Sequence, residues 1–218
     1  MQPISTAESQ SSSRSALRGS LWHIVSTAAP VLLLTIFAVI HIQYWLETGS
    51  FVGLGLAAQE SVLIVLFLIR RTPKTSLNTY TAWSAALIGS YGVLLVQPGG
   101  HTLLGATSFF TVLQIFGAAL AIVTAVSLGR SFGIVAANRG VKTSGAYGIV
   151  RHLIYASYLV GYLGYLLATL SVWNVAIVTV ALAFQIQRIH QEESVLMQDP
   201  EYQAYAARVP YRLIPGIY

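Results

Sequence analysis

Long apolar runs separated by short polar segments dominate the sequence. A helix needs about 20 consecutive apolar residues to cross the hydrocarbon core of a bilayer, and six runs come near that length. In chain order they are residues 21–46, 51–69, 80–97, 106–128, 153–170 and 172–189. The pattern predicts an all-α polytopic membrane helix bundle of about six transmembrane helices. Only a tight turn at 171–174 separates the last two runs, so we expect a C-terminal antiparallel helical hairpin.

The composition excludes an ordinary water-soluble domain. Of the 218 residues, 55% are hydrophobic and 9% are charged, whereas soluble domains carry about 25% charged residues. The chain contains no cysteine, which excludes disulfides, thiolate nucleophiles and cysteine metal sites. No pair of histidines has metal-ligand spacing, so we expect no metal. We expect a disordered, serine-rich cytoplasmic tail over residues 1–20 and a single integral-membrane domain over residues 21–218.

The basic residues all flank the predicted spans on one side. They are Arg14, Arg18, Arg70, Arg71, Lys74, Arg130, Arg139, Lys142, Arg151, Arg188, Arg208 and Arg212. Cytoplasmic loops of membrane proteins carry an excess of Lys and Arg, so both termini are predicted to be cytoplasmic. This topology explains the net charge of +5, and the expected partner is the lipid bilayer, not nucleic acid. The sequence leaves the oligomeric state open.

Two polar stretches, residues 129–152 and 188–218, interrupt the hydropathy pattern on the predicted cytoplasmic side. Arg151 and His152 stand where span five begins, and a helix N-terminus offers free N–H groups to an anion. Arg188 and Glu192 lie four residues apart at the end of span six, on one face of a helix. Each pair alone is typical of a topology anchor or a surface ion pair. Because the hairpin brings both to one membrane face, we interpret them together as a site for a charged ligand.

Three motifs follow one another in this region. Residues 144–155 read Ser-Gly-x-Tyr-x-x-x-Arg-His-x-x-Tyr, residues 188–196 read Arg-x-x-x-Glu-Glu-x-x-Leu, and residues 201–216 read Glu-Tyr-x-x-Tyr-x-x-Arg-Val-Pro-Tyr-Arg-x-x-Pro-Gly. This order resembles the isoprenylcysteine carboxyl methyltransferase family, which is related to the membrane phospholipid methyltransferases. The resemblance extends over residues 139–218 and implies that they form the cofactor-binding and catalytic core.

The resemblance implies a cytosolic site for S-adenosylmethionine, with S-adenosylhomocysteine as its product. The cofactor-binding residues that it implies are Arg139, Gly140, Val141, Lys142, Tyr147, Arg151, His152, Leu153, Ile154, Tyr155, Glu192 and Glu193. Arg188 and Glu192 are the implied catalytic residues, with Arg188 facing the methyl acceptor and Glu192 near the α-amino group of the cofactor. The family usually has proline where this chain has Leu153, which bears on the expected pose of the cofactor.

The implied acceptor is a lipophilic or lipidated molecule, of which a prenylcysteine-type carboxylate is the family example; amine headgroups, small thiols and phenols are alternatives. Tyr158 and Tyr162 share one face of span five with Tyr155 and Tyr165. This row is interpreted either as a packing seam or as a wall for the apolar tail of the acceptor. A different class of enzyme, an NADPH-dependent membrane reductase with a similar cytosolic motif, is a further alternative.

Glu60 stands near the middle of span two, where a carboxylate is costly to insert. It is interpreted as a structurally paired group or as a residue that contacts the acceptor, for example as a proton acceptor. A third hypothesis is a non-enzymatic carrier in which Glu60 is the coupling carboxylate.

Overall fold

A computed structural model describes residues 6–49, 51–97 and 101–218, and over these residues it confirms the all-α class. The helices are α1 (Thr6–Thr48), α2 (Phe51–Ile69), α3 (Tyr80–Tyr91), α4 (Thr107–Leu128), α5 (Leu153–Ala168), α6 (Val172–Leu196) and α7 (Pro200–Arg208). Two short strands, β1 (Thr75–Ser76) and β2 (Ala137–Asn138), pair antiparallel. This ribbon was not predicted, because two residues are too few to show a period-two pattern.

The chain divides into two compact units, Met1–Leu68 and Ile69–Tyr218, and the single domain expected over residues 21–218 stays a prediction. The first unit contains α1 and nearly all of α2. Helix α1 begins at Thr6, within the stretch expected to be a disordered tail; residues 1–5 of that stretch lie outside the described residues. Extending an existing helix costs less than starting one, so the apolar segment can carry the helix back through the serine-rich residues.

Five helices carry the apolar segments. Three are long and apolar enough to cross a membrane: Ile24–Thr48, Ser108–Ser131 and Val172–Leu196. Two shorter apolar helices are Leu54–Ile69 and Leu153–Ala168. Helix α3 has 12 residues, or about 18 Å of rise, and continues as a 3-10 turn over Gly92–Leu95. The predicted third span is therefore shorter as an α-helix than its apolar run, and the count of six spans stays a prediction.

Small residues allow the helices of the second unit to pack closely. A Cβ atom on Gly117 of α4 would lie 2.4 Å from the backbone nitrogen of Gly161 in α5. A Cβ atom on Gly164 would lie 2.6 Å from the backbone nitrogen of Gln114. Only glycine fits at these positions, and helices in membranes commonly meet through such residues. Helix α3 packs on α6, where Gly89 lies against Gln185 and Arg188, and its other buried residues are Ala82, Ala85 and Ala86.

The predicted hairpin of α5 and α6 is present. Ser171 caps α6 by accepting a hydrogen bond from the backbone nitrogen of Asn174 at 3.1 Å. Asn174 also donates to the carbonyl of Thr169 at 2.9 Å, which ties the end of α5 to the start of α6. At the other end, residues of the α5 N-terminus contact Glu192 and Glu193 near the C-terminus of α6. The two helices are therefore antiparallel.

The polar segments between helices gather at that other end of the hairpin. The β1–β2 ribbon joins the loop after α2 to the loop after α4, with Thr75 opposite Asn138. The chain after α7 runs back to α5, because the backbone N–H groups of Arg151 and His152 donate to the carbonyls of Tyr211 and Arg212 at 3.0 and 2.9 Å. Three distant parts of the sequence therefore meet around the start of α5.

Candidate active site

A pocket opens where these segments meet, entirely within the second unit. It contains about 870 Å³ of space, part of it open to solvent. Most of its lining comes from the loop after α4, the start of α5, the end of α6 and helix α7, and α3 and α4 contribute one residue each. The residues are Ser90, Leu128, Ser131, Phe132, Gly133, Ile134, Val135, Ala137, Arg139, Gly140, Val141, Lys142, Tyr147, Arg151, His152, Ile154, Tyr155, Tyr158, Arg188, Glu192, Leu196, Tyr202 and Tyr205.

Glu192 is the carboxylate that lines this pocket. The hydroxyl of Tyr155 donates a hydrogen bond to its Oε1 atom. Longer contacts join Oε1 to Nη2 of Arg188 at 3.9 Å and Oε2 to Nδ1 of His152 at 3.7 Å. The side chain keeps 20% of its surface exposed. Glu192 is thus held by α5 and α6 while part of its surface faces the pocket.

Arg188 is the buried cation beside it. Its Nη1 atom donates to the hydroxyl of Ser90 at 3.0 Å and to Oε1 of Gln185 at 3.2 Å. Its guanidinium carbon lies 5.0 Å from the centre of the Tyr155 ring, a cation–π distance. The Nε atom is buried without a hydrogen-bond partner among the described residues. A buried donor of this kind is costly, and an anionic ligand in the pocket would relieve the cost.

Glu193, next in the chain, has different surroundings. Its carboxylate accepts from Nε and Nη2 of Arg151 at 2.9 and 3.1 Å, and the hydroxyl of Tyr202 donates to it at 2.6 Å. Nε2 of His152 lies 2.9 Å away and Nε of Arg212 3.5 Å away. Both oxygens of the Glu193 carboxylate therefore have partners within the protein, and Glu193 does not line the pocket.

Arg151 pairs with Glu193 and also binds the backbone of the C-terminal segment. Its Nη1 atom donates to the carbonyls of Val209 at 2.8 Å and Pro210 at 3.0 Å. Burial opposes its positive charge, but the hydrogen bonds to Glu193 outweigh burial and raise its pKa above the ordinary value. Because the bonds of its guanidinium are directed to Glu193 and to the tail, Arg151 contributes to the pocket as a fixed wall.

The loop after α4 supplies a second buried cation, Arg139. Burial, together with the positive charge of Arg70, lowers its pKa to about 10. Its guanidinium lies against Gly133, where a Cβ atom would stand 2.4 Å from Nη1. The hydrogen bond to the Val135 carbonyl is long, at 3.4 Å, and Nε has no partner among the described residues. Like Arg188, Arg139 therefore has a buried hydrogen-bond donor with no acceptor among the described residues.

Aromatic rings form much of the remaining wall. Tyr155 and Tyr158 pack edge to face with ring centres 6.3 Å apart, and Tyr158 stacks on Tyr162 at 6.2 Å. Tyr155 and Tyr158 line the pocket, Tyr162 extends the row beyond it, and the Tyr165 hydroxyl donates to the Gln97 carbonyl at 3.0 Å. The row is thus a packing seam at its far end and a pocket wall at its near end.

Helix α7 closes the pocket with Tyr202 and Tyr205. The hydroxyl of Tyr205 donates to the carbonyl of Tyr147 at 2.6 Å, and the hydroxyl of Tyr147 donates to the carbonyl of Thr124 in α4 at 3.3 Å. Burial and the nearby Glu192 raise the pKa of Tyr147, so its hydroxyl stays neutral. These two hydrogen bonds connect α7 to α4 through Tyr147, in the motif at residues 144–155.

Most of the residues singled out in the sequence meet here, with four exceptions. Leu153, Glu193 and Tyr162 do not line the pocket. Glu60 lies in the first unit, where its Oε2 atom is 3.0 Å from Nδ1 of His41. This contact agrees with the structural pairing considered for Glu60, and a role for it toward a substrate stays a prediction.

The sequence interpretation missed several lining residues. Ser90 lies in α3, far from the motifs in the chain, and no pattern marks it. Residues 131–135 follow α4 as an ordinary loop. Tyr202 and Tyr205 belong to the Glu-Tyr-x-x-Tyr motif, whose spacing puts both rings on one face of a helix. That spacing could have indicated Tyr202 and Tyr205 as lining residues, but in the sequence analysis these two tyrosines had no role.

Comparison with known proteins gives one family match. Residues 110–198 match the family model of the Isoprenylcysteine carboxyl methyltransferase (ICMT) family. The match includes most of α4 and the motifs at residues 144–155 and 188–196, and it ends before α7. A comparison with curated proteins gave no match. The resemblance of the sequence to the ICMT family is therefore confirmed for residues 110–198, the segment that builds most of the pocket.

Proposed function

We propose that the chain is an integral-membrane methyltransferase that uses S-adenosylmethionine to methylate a lipophilic acceptor, by resemblance a prenylcysteine-type carboxylate. The observation that carries the proposal is that the motifs at residues 144–155 and 188–196 line one pocket, in which the carboxylate of Glu192 lies beside Tyr155 and Arg188. Members of the ICMT family use S-adenosylmethionine. Three long apolar helices support a place in the membrane.

The pocket residues fit the charges of this cofactor. Its methionine end carries an ammonium and a carboxylate, and its sulfur carries a positive charge. The partly exposed Glu192 can accept a hydrogen bond from the ammonium. Arg139, whose Nε atom has no partner among the described residues, can donate a hydrogen bond to the carboxylate of the cofactor. The rings of Tyr155, Tyr158 and Tyr147 line the same space, and aromatic faces favour a nearby cation.

Methyl transfer depends mainly on the alignment of the acceptor with the methyl group of the cofactor. Bound S-adenosylmethionine supplies a methyl group that is already activated by the positive sulfur. The protein has to hold the acceptor in line with that group, and positioning of this kind can account for much of a rate enhancement. Arg188, buried and with a spare donor, can orient an acceptor carboxylate. A carboxylate acceptor is already deprotonated at neutral pH, so no general base is required.

Methyl transfer from labelled S-adenosylmethionine tests the proposal directly. The full chain in detergent is given S-farnesylcysteine with a blocked amino group, and the methyl ester of the same compound serves as the control acceptor. We expect label in the free acid and none in the ester. Phosphatidylethanolamine, a small thiol and a phenol test the other acceptor classes. Transfer to none of these acceptors would contradict the proposal.

Variants at the pocket separate the two roles. Glu192→Gln should weaken cofactor binding, whereas Glu201→Gln, a carboxylate outside the pocket lining, is the matched control. Arg188→Ala should lower turnover more than it lowers the affinity for S-adenosylhomocysteine. Reversed effects of Glu192→Gln and Arg188→Ala would overturn the assignment of roles.

A further inference from the structure

A basic patch lies beside the pocket, and only two of its members, Arg139 and Lys142, also line that pocket. It consists of six cationic side chains from the two loops that the β1–β2 ribbon joins: Arg70, Arg71, Lys74, Arg130, Arg139 and Lys142. The backbone N–H of Arg71 donates to the carbonyl of Arg130 at 2.8 Å, and that of Lys74 donates to the carbonyl of Asn138 at 2.8 Å. The backbone therefore fixes the two basic loops side by side.

Few carboxylates balance this charge. The sequence has no Asp or Glu between Glu60 and Glu192. Asp199 lies 3.7 Å from the Lys74 ammonium, and Glu201 lines the depression described below. Glu192 and Glu193 are engaged with residues of α5 and α6. The patch thus keeps a positive excess in the part of the chain that the structure describes.

The patch contains a shallow depression of its own. Its lining consists of Arg71, Thr72, Lys74, Arg139, Gly140, Val141 and Glu201. Nη1 of Arg71 stands over Gly140, 3.0 Å from the place where a Cβ atom would be. Gly140 has a φ of +103°, which favours glycine. The exposed Arg71 side chain has no hydrogen-bond or ion-pair partner among the described residues, so its guanidinium is available to a ligand.

The patch also stands at the ends of two apolar helices, α2 and α4. Arg70 and Arg71 directly follow the last residue of α2, Ile69, and Arg130 comes two residues after the end of α4. Nε of Arg130 donates to the carbonyl of Ile69 at 3.2 Å. Residues at such helix ends lie at the depth of lipid headgroups. Clusters of basic residues in this position attract anionic lipids.

We propose that this basic patch binds the phosphate of an anionic phospholipid headgroup, with Arg71 and Lys74 at the depression. Guanidinium and ammonium donors with the hydroxyl of Thr72 match the oxygens of a phosphodiester. The site is separate from the methyl-transfer pocket, although residues 139–141 line both. The proposal does not depend on the methyltransferase activity.

Native mass spectrometry of the full chain in neutral detergent tests it, with equal amounts of phosphatidylglycerol and phosphatidylcholine as competing probes. We expect phosphatidylglycerol adducts to dominate and to weaken as salt rises. Arg71→Gln should lower the preference about fivefold, since one basic residue near a membrane contributes an effect of that order. Arg208→Gln removes an exposed charge from α7, outside the patch, and should leave the preference unchanged.

The unfolding temperature of Arg71→Gln should equal that of the unmodified chain, which separates lipid binding from folding. Equal adducts of the two lipids, or equal losses in Arg71→Gln and Arg208→Gln, would overturn the proposal. Calorimetry with inorganic phosphate distinguishes the source of the phosphate. Saturable binding of inorganic phosphate that Arg71→Gln abolishes, without a lipid preference, would assign the site to free phosphate and overturn the lipid assignment.

Discussion

Two adjacent glutamates on α6 illustrate how far a residue's role depends on its surroundings. Glu192 faces the pocket and keeps part of its surface exposed, whereas Glu193 is 5% exposed and is bound by Arg151, His152 and Tyr202. The motif presents both as equal candidates for the cofactor. Neighbouring residues on a helix point about 100° apart, so their roles are decided by what packs on each side.

Substitution of the two glutamates should therefore affect different properties. Glu193→Gln breaks a buried ion pair and should cost about 3 to 5 kcal/mol of folding free energy. Glu192→Gln should change stability much less and lower the affinity for S-adenosylhomocysteine by at least about thirtyfold, which corresponds to the lower end, about 2 kcal/mol, of the range for a charged contact. Thermal unfolding and calorimetry on the same samples measure both properties. A stable Glu193→Gln protein with weakened cofactor binding would contradict the structural role of Glu193.

At the scale of elements, glycine sets the distance between α4 and α5. The backbones approach so closely at Gly117 and Gly164 that a methyl group would overlap backbone atoms of the facing helix. The start of α5 carries His152 and Tyr155, and the end of α4 leads into the loop that lines the pocket. The closeness of this packing therefore supports the geometry of the site.

Gly164→Ala should destabilise the protein by about 1 to 3 kcal/mol, the usual cost of overpacking. Gly55→Ala is the matched control, because Gly55 is also helical and a Cβ atom there would meet nothing within 4 Å. The control should be neutral or slightly stabilising, since alanine favours helix. Thermal unfolding in detergent measures both variants. Equal behaviour of the two would show that the close approach is not required.

Helix α7 is anchored by its N-terminal cap. Asp199 accepts from Nδ2 of Asn138 at 2.7 Å and from the backbone N–H of Glu201 at 3.0 Å. These bonds, with the nearby Lys74, lower the pKa of Asp199 below its ordinary value. A carboxylate with a lowered folded-state pKa stabilises the fold above its unfolded pKa, about 3.9, and this stabilisation is lost as the pH falls through the folded value.

Asp199→Asn should therefore reduce the unfolding temperature at neutral pH. Asparagine caps helices about as well as aspartate, so the variant removes mainly the charge. We expect the difference from the unmodified chain to shrink as the pH is lowered below about 4. Unfolding temperatures measured along a pH series provide the test. A difference that stays constant with pH would show that the charge of Asp199 does not stabilise the cap.

At the scale of the whole molecule, the apolar runs predicted the helical class and the C-terminal hairpin. The resemblance implied that Tyr147, Tyr155, Arg188 and Glu192 would share one site. The hairpin accounts for the meeting of Tyr155 with Arg188 and Glu192, because an antiparallel turn brings the start of α5 beside the end of α6. The sequence did not predict that α3 ends at Tyr91, where the apolar run continues as a 3-10 turn.

Long-range contacts were the part that sequence patterns could not provide. Ser90 reaches the pocket because α3 packs on α6, and the tail reaches Arg151 through backbone carbonyls that any residue supplies. Likewise, no sequence pattern connects His41 with Glu60, although Nδ1 of His41 lies 3.0 Å from Oε2 of Glu60. Periodicity places residues on a helix face, but the neighbour of that face depends on the packing of helices far apart in the chain.

The proposed function depends on binding of S-adenosylmethionine in the pocket of the second unit. Calorimetric titration of the purified full chain with S-adenosylhomocysteine measures this binding, with NADPH as the control ligand and Glu201→Gln as the control variant. We predict saturable binding of S-adenosylhomocysteine that Glu192→Gln weakens and Glu201→Gln retains, with no binding of NADPH. Binding of NADPH without binding of S-adenosylhomocysteine would contradict the account and favour a membrane reductase.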